Sequence, residues 1–411
     1  MDVAKRLLLA KKASGQLRIA SSRQKNLFLE ILANLLLKNV AKILKANKKD
    51  LAKAANLSSA MKKRLTLTRN SIMIIADGVK KIAELSDPVG NIVKMWKRPN
   101  GMWVGKMQVP IGVILFVFES RPNVIVDAAA LSIKSGNILI AKGGKEAENS
   151  NVILERYIIM ALKKAGLSEF SVQNLNVDHE TIYKIIKMNQ YIDLVVARGR
   201  QELIKSIKEN STVPVIAHER GLCHIYIDEE ADLEKSVKIV INAKTSNPAT
   251  CNSLETVLVN KKIAPQVMPT ILKTLFKNRV EVRGCKKTCA FDKRCLLATD
   301  KDWETEYLDM ILSIKIVDSF KEAIAHIEKY SSGLSDAIIT ENYQRAKQFL
   351  EQINSAVVLV NASNRLTDGG EFGLGAEFGI STSSIHMKGP MGLDDLTVTK
   401  YIVLGDGQIR E

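Results

Sequence analysis

Of the five cysteines in this 411-residue chain, one stands in a setting suited to covalent chemistry. Cys251 lies in Asn247-Pro-Ala-Thr-Cys251-Asn-Ser-Leu-Glu-Thr256, between small and polar residues, with the β-branched and apolar run Val257-Leu-Val259 behind it. A thiol nucleophile needs access to substrate, nearby backbone N–H donors and a rigid support, and this pattern is compatible with all three. The bland alternative is a buried structural thiol, a common fate of free cysteine. Cys285, Cys289 and Cys295 cluster without a neighbouring histidine, and their spacing is not a zinc pattern, so no metal site is expected. The five histidines are scattered, and no Ser-His-Asp arrangement can be read from spacing.

Stepping outward from Cys251, the elements that would position such chemistry alternate. Ile111 to Phe118 is a continuous apolar run, as expected of a strand buried on both faces of a parallel sheet, and Glu119-Ser-Arg-Pro-Asn123 ends it. Val124 to Lys134 reads as a helix, Ile138 to Ala141 as a strand, and Lys142-Gly-Gly-Lys-Glu146 as the loop before a helix reaching about Leu162. Asp193–Ala197, Val213–Ala217, Cys223–Asp228, Ser313–Val317, Ala337–Thr340 and Ala356–Val360 add strands, the last of buried type. Repeated strand–loop–helix units predict an α/β doubly wound fold. Ligands in such sheets bind beyond the carboxyl ends of the strands, which places Glu119–Asn123 and Lys142–Lys145 at a ligand-binding edge. Gly-x-Gly-x-x-Gly between strand and helix, the usual Rossmann fingerprint, does not occur. Lys142-Gly143-Gly144 could cradle phosphate or ribose, although most such glycine pairs are plain turns.

The first hundred residues read as helical scaffold. Leu29, Leu32, Leu36, Val40 and Ile43 line one face of an amphipathic helix, and Asn70 or Ser71 is the expected cap of a further helix through Lys81. Pro99-Asn-Gly101 signals a hairpin or turn within Trp96–Gln108. Near the C-terminus, Thr367–Gly379 holds five glycines, which permit close backbone approach to a ligand, before a last strand at Val398–Leu404. A terminal strand with little chain left to cover it predicts a homo-oligomer.

Length and a 46% hydrophobic content predict two or three domains. No apolar run approaches the roughly 20 residues needed to cross a bilayer, no cleavage signal follows Leu7-Leu-Leu-Ala10, and sparse, odd-numbered cysteines suit a reducing compartment; the expected location is cytoplasmic. A net charge of +16 raises a nucleic-acid reading. The excess is mostly lysine spread over the chain, as at Lys38, Lys42, Lys45, Lys48 and Lys49, with 5% aromatics and no recognition motif, so a solvated lysine surface is the preferred account.

Several stretches resemble the γ-glutamyl phosphate reductase (glutamate-5-semialdehyde dehydrogenase) family of the aldehyde dehydrogenase superfamily. They are Pro110–Val113, Glu119-Ser-Arg-Pro-Asn-Val124, Asp127–Leu131, Lys134-Ser-Gly-Asn137, Cys251-Asn with Glu255-Thr256, Trp303 with Thr305–Asp309, Thr367–Gly379, Ile380–Thr382 and Gly389–Leu393. The resemblance runs from the first helices to the C-terminus. It implies an aldehyde-dehydrogenase-like fold with a Rossmann-like cofactor domain (1–99 and 110–219), an α/β catalytic domain (220–385) and a small β oligomerisation flap (100–109 and 394–405).

It further implies NADPH-dependent reduction of γ-glutamyl phosphate to glutamate-5-semialdehyde and phosphate through a cysteine thioester, the second step of proline biosynthesis from glutamate. Functional coupling to glutamate 5-kinase follows from the same resemblance. By residue, it implies Cys251 as nucleophile and Asn123 as oxyanion donor. Ser120, Lys142, Gly143, Gly144, Arg198, Gly199 and Glu306 are expected at NADP(H). Arg121, Gly373 and Gly375 are expected at the substrate's anionic groups, and Glu219 is a candidate for handling protons. Arg200, Leu334, Lys142 and Lys388 depart from the family pattern, the lysines exchanging a bidentate fork for a point charge. The rivals are a non-phosphorylating aldehyde dehydrogenase and a basic nucleic-acid-binding protein on an inactive scaffold.

Overall fold

The computed structural model describes residues 2–119, 121–217, 220–383 and 385–410, without the side chains of residues 59 and 60. Two compact units emerge. The first comprises Met1–Ala217, Gly373–Gly379 and Met391–Glu411, and the second His218–Phe372 and Ile380–Pro390. Among the described residues, no helix is long and apolar enough to cross a membrane.

Unit 1 begins with five helices, α1 (Val3–Arg18), α2 (Ser22–Lys38), α3 (Val40–Lys53), α4 (Ser59–Leu65) and α5 (Arg69–Glu84). Phe28, Leu29, Leu32, Ala33 and Leu36 of α2 are buried, as are Ile72, Ile75, Ala76, Val79 and Ile82 of α5, at the three- and four-residue steps that give each helix one apolar stripe. The single face predicted from Leu29 to Ile43 is divided between α2 and α3. Asn39 ends α2 by donating its side-chain N–H to the Leu35 carbonyl, which satisfies one of the carbonyls a helix end leaves open. The cap of α5 is Thr68, not Asn70 or Ser71. Thr68 Oγ1 accepts from Ser71 N at 3.1 Å and Ser71 Oγ accepts from Thr68 N at 2.8 Å, so Ser71 is the reciprocal partner in a capping box.

Strands β1 (Ile92–Lys97) and β2 (Trp103–Pro110) form the hairpin signalled by Pro99-Asn-Gly101. The doubly wound part follows: β3 (Val113–Phe118), α6 (Val124–Lys134), β4 (Ile138–Lys142), α7 (Glu148–Lys164), β5 (Val172–Asn174), α8 (His179–Ile185), β6 (Leu194–Arg198), α9 (Gln201–Asn210) and β7 (Val215–Ala217). These five strands lie parallel in the order β5-β4-β3-β6-β7. All six residues of central β3 are buried, each apolar side chain contributing about 1.5–3 kcal/mol. The chain winds outward from β3 through β4 to β5, then returns to β6 on β3's other side. The topological switch point therefore falls between the carboxyl ends of β3 and β6, where Phe118 is paired with Arg198.

Unit 2 contains β8 (Cys223–Ile227), α10 (Leu233–Thr245), β9 (Leu254–Asn260), α11 (Ala264–Lys277), β10 (Glu281–Gly284), α12 (Lys286–Cys289), β11 (Leu296–Leu297), α13 (Asp300–Trp303), β12 (Ile311–Val317), α14 (Phe320–Tyr330), β13 (Ser335–Ile339), α15 (Tyr343–Gln352) and β14 (Val357–Val360). Its seven-stranded sheet runs β11-β10-β12-β9-β8-β13-β14, all parallel. The predicted buried strand at 356–360 is instead the half-buried edge strand β14, because β13 covers only one of its sides. Two short strands, β15 (Gly379–Ser381) and β16 (Gly389–Met391), form a separate pair, and β17 (Thr397–Leu404) pairs antiparallel with β2 in a three-stranded sheet β1-β2-β17. Asn137 links that sheet to the doubly wound one: its Oδ1 accepts from Gly112 N at 2.8 Å and its Nδ2 donates to the Leu396 carbonyl at 2.7 Å.

Candidate active site

In unit 1 the candidate residues hang from the carboxyl ends of β3, β4 and β6. Asn123 occupies the position before the first residue of α6, with helical dihedrals (φ −62°, ψ −29°) and no capping bond from its side chain. Its Nδ2 donates instead to Asp127 Oδ2 at 3.0 Å. Burial pushes the Asp127 carboxyl up to about 6, against the lowering effects of the Asn123 amide and the Arg198 guanidinium. Arg198 closes β6 and stands 3.8 Å from Glu377 Oε1 of the glycine-rich segment. That segment is held on the sheet by Phe378, stacked on Phe116 with ring centroids 4.7 Å apart. Gly373 and Gly375 both have φ of +76°, the left-handed conformation that favours glycine.

Lys142, the last residue of β4, is 6% exposed. Burial lowers its pKa, opposed by the fields of Glu146 and Glu119. Gly143 adjoins Asn151 and Phe118 so closely that a Cβ there would lie 2.2 Å from Asn151 Nδ2. Gly199 lies against Glu119, which also accepts from Arg200 N at 3.0 Å and pairs with its guanidinium. The departure at Arg200 thus adds an exposed ion pair to Glu119 at the switch point. Arg121 lies in the turn leading to α6, its carbonyl accepting from Val124 N. Ser120 and Glu219 lie outside the described residues.

In unit 2 the nucleophile candidate lies at the opposite kind of edge, in the turn between α10 and the amino end of β9. Cys251 is partly exposed, and its backbone is pinned by neighbours. Gly221, just before β8, lies so close that a Cβ there would stand 1.8 Å from the Cys251 carbonyl oxygen. No other residue type fits without backbone movement. The buried Cys223 thiol donates to that same carbonyl at 3.4 Å. Glu306 Oε1 accepts from Gly221 N at 2.8 Å, and burial raises the Glu306 pKa. Two expected site residues, Cys251 and Glu306, are therefore joined through the Gly221 backbone.

Two further devices were not read from the sequence. Arg365 donates to Thr250 Oγ1 at 3.0 Å, to Ser246 Oγ at 3.3 Å and to Asn252 Oδ1, while Asn252 Nδ2 donates to the Thr367 carbonyl at 2.9 Å. This holds the residues on both sides of Cys251. Below the turn, Lys244 Nζ meets Glu255 Oε2 at 2.9 Å with both side chains fully buried. Glu255 Oε1 accepts from Leu308 N at 3.2 Å. Burial pushes the Glu255 carboxyl up to about 7 and the Lys244 ammonium down, each opposed by the other's charge. The pair bridges the end of α10 and the start of β9, bracketing the turn. Glu255 belonged to a recognisable motif, but its partner carried no local signal.

The geometry supplies a clamped thiol in one unit and, in the other, amide, guanidinium and ammonium groups at a nucleotide-type sheet edge. Residues 32–288 and 299–402 match the aldehyde dehydrogenase family. The chain is 48% identical over 414 aligned residues to γ-glutamyl phosphate reductase of Thermoanaerobacter pseudethanolicus, covering 100% of both chains. It is 50% identical over 404 residues to the enzyme of that name from Petrotoga mobilis, covering 98% of this chain and 97% of the other. The crystal structure of γ-glutamyl phosphate reductase from Thermotoga maritima superposes with a TM-score of 0.97 at 42% identity, covering 100% of both chains. On these matches over its full length, the chain belongs to the γ-glutamyl phosphate reductase branch of the aldehyde dehydrogenase family.

Proposed function

We propose that this enzyme reduces γ-glutamyl phosphate to glutamate-5-semialdehyde and phosphate, using NADPH and a thioester on Cys251. The observation that carries the reading is the full-length match, at 48% identity, to a reductase of that name. The Cys251 thiolate attacks the acyl carbon, phosphate leaves, and a thioester forms. Asn123 Nδ2 and the backbone N–H of Cys251 are the proposed donors to the oxyanion of each tetrahedral state, where losing one donor costs about a hundredfold or more. Phosphate leaves readily, so acylation needs no strong general base.

The residues at the unit 1 edge fit a phosphorylated dinucleotide. A nearly buried ammonium at a strand end is costly unless an anion meets it, and Lys142 would hold the adenosine ribose with its 2′-phosphate. Arg198-Gly199 would line the pyrophosphate, and Glu306 would accept from the nicotinamide ribose. Bound NADPH supplies the hydride that reduces the thioester. The resulting thiohemiacetal on Cys251 then collapses to the aldehyde and returns the thiolate. Arg121, Gly373 and Gly375 are assigned to the substrate's anionic end.

The β1-β2-β17 sheet leaves Val93, Tyr401, Val403 and Leu404 more than half exposed, and we assign it to subunit contacts in a homo-oligomer. A cytoplasmic setting suits five free thiols. An acyl phosphate hydrolyses readily, so the supplying glutamate 5-kinase is expected to act close by. In the reverse assay, glutamate-5-semialdehyde with NADP⁺ should yield NADPH only when phosphate is present. Equal rates without phosphate would identify a non-phosphorylating dehydrogenase instead. Salt-sensitive nucleic-acid binding without turnover would favour the inactive-scaffold rival.

A further inference from the structure

Most polar residues that precede α-helices among the described residues cap them, and Asn123 does not; Asn39 also forgoes the cap, but its amide closes the helix it ends. Ser21, Thr68, Asp178, Asp232, Ser319 and Asn342 each accept a backbone N–H from the first turn that follows, as such residues are selected to do. The contrast with Asn342 is sharpest, since the residue type is the same and its Oδ1 accepts from Arg345 N at 3.0 Å. Asn123 gives up that bond, and its amide nitrogen turns toward Asp127 one helical turn later. Asn39 closes a preceding helix with its side chain, whereas Asn123 follows a strand and spends its amide on a carboxylate, which points to a constraint other than helix capping.

The chemistry of the partner explains what is gained. An ionised carboxylate only accepts hydrogen bonds, whereas the two ends of an asparagine amide are nearly the same size and differ only in donating or accepting. Facing a carboxylate, the amide has one choice: its NH2 end turns to Asp127, which leaves the second N–H of the same nitrogen aimed elsewhere. A neutral amide or hydroxyl at position 127 could also donate, and would let Asn123 turn its carbonyl around. The Arg198 guanidinium at the end of β6 favours the ionised form against the burial that opposes it. Both Asn123 and Asp127 keep some accessible surface, as a pair addressing a ligand must.

We propose that Asp127 is a positioning residue for the reduction, holding the Asn123 amide so that it presents an N–H, never its carbonyl, to the oxyanion. This rests on the reading of Asn123 as an oxyanion donor. Asp127 does not touch the substrate and acts only through Asn123. A residue that merely supported the helix would behave otherwise, because a carboxylate whose folded pKa is raised by burial costs stability at neutral pH.

The test is a double-mutant cycle on the full-length enzyme with γ-glutamyl phosphate generated in situ, comparing wild type, Asp127→Asn, Asn123→Ala and the double variant, with melting temperatures at pH 7.5. Asp127→Asn should lower kcat about tenfold to a hundredfold, leave KM within about threefold, and leave the melting temperature unchanged or higher. Asn123→Ala should lower kcat about a hundredfold, and adding Asp127→Asn to it should change kcat by less than about twofold. Asp127→Ser, smaller and also able to donate, should repeat the kcat loss if the asparagine variant folds poorly. Additive losses in the double variant, or wild-type kcat in Asp127→Asn, overturn the proposal while sparing the oxyanion reading. Wild-type kcat in Asn123→Ala overturns both.

Discussion

The two units present their chemistry at opposite ends of their parallel sheets. In unit 1, Asn123 follows the carboxyl end of β3, and Lys142 and Arg198 close β4 and β6. In unit 2, Gly221, Cys251 and Glu306 precede the amino ends of β8, β9 and β12. At a carboxyl edge the chain is about to enter a helix, so N–H groups and cations face outward to meet an anion. At the amino edge the chain is arriving from a helix, and the turn carrying Cys251 is tied down by Gly221, Arg365 and the Lys244–Glu255 pair. On the proposed reading, one edge receives a ligand and the other immobilises a reacting atom.

If that contrast holds, perturbing the supports of the unit 2 turn should damage rate and fold together, while perturbing the cationic groups of the unit 1 edge should change affinity. The largest effect is expected for Cys251→Ser. It should reduce NADPH oxidation about ten-thousandfold or more while leaving the melting temperature and cofactor binding near wild type. Gly221→Ala places a Cβ where the Cys251 carbonyl stands, and a shift of about 1 Å in a reacting group is worth about a hundredfold, so kcat should fall by that order with a lower melting temperature. Lys244→Met leaves Glu255 buried without its cation, and chemical denaturation should register a loss of about 3 kcal/mol.

At the unit 1 edge, Lys142→Ala should raise KM for NADPH about tenfold with kcat and melting temperature nearly unchanged. The same variant should narrow the preference for NADPH over NADH, measured as the ratio of the two kcat/KM values. A loss of stability with unchanged KM would put Lys142 on the structural side of the comparison.

The smallest effect is a pH dependence inside unit 2. Burial, helped by the fields of His224, Lys315 and Lys329, lowers the His326 pKa from 6.5 to about 3. The folded state therefore holds this ring neutral, and the unfolded state takes up the proton first as pH falls. Its contribution to stability is complete above about 6.5 and declines as pH drops toward 3. His326→Gln should flatten that acid limb in melting temperatures recorded between pH 7 and pH 4, and an unchanged slope would assign the limb to carboxylates instead.

The sequence alone determined much of this protein. The apolar run of β3, the polar loop after it and the repeat of that unit are local patterns set by burial on both faces of a sheet, and they located the carboxyl edge of the unit 1 sheet. Cys251 stood out as a candidate from its neighbours alone, because small and polar residues around a thiol form a local pattern. The tertiary structure decided what those neighbours lean on. Arg365 reaches Thr250 across 115 positions, Asn123 pairs with an acid whose charge depends on Arg198 of another strand, and β14 is an edge because of where β13 lies. Short strands such as β5 and β11 have too few residues to show a period, and exist because a longer neighbour offers them hydrogen bonds. Local pattern is written in adjacent residues, whereas the clamp on the Cys251 turn is made by contacts whose partners are brought together only when the sheets form.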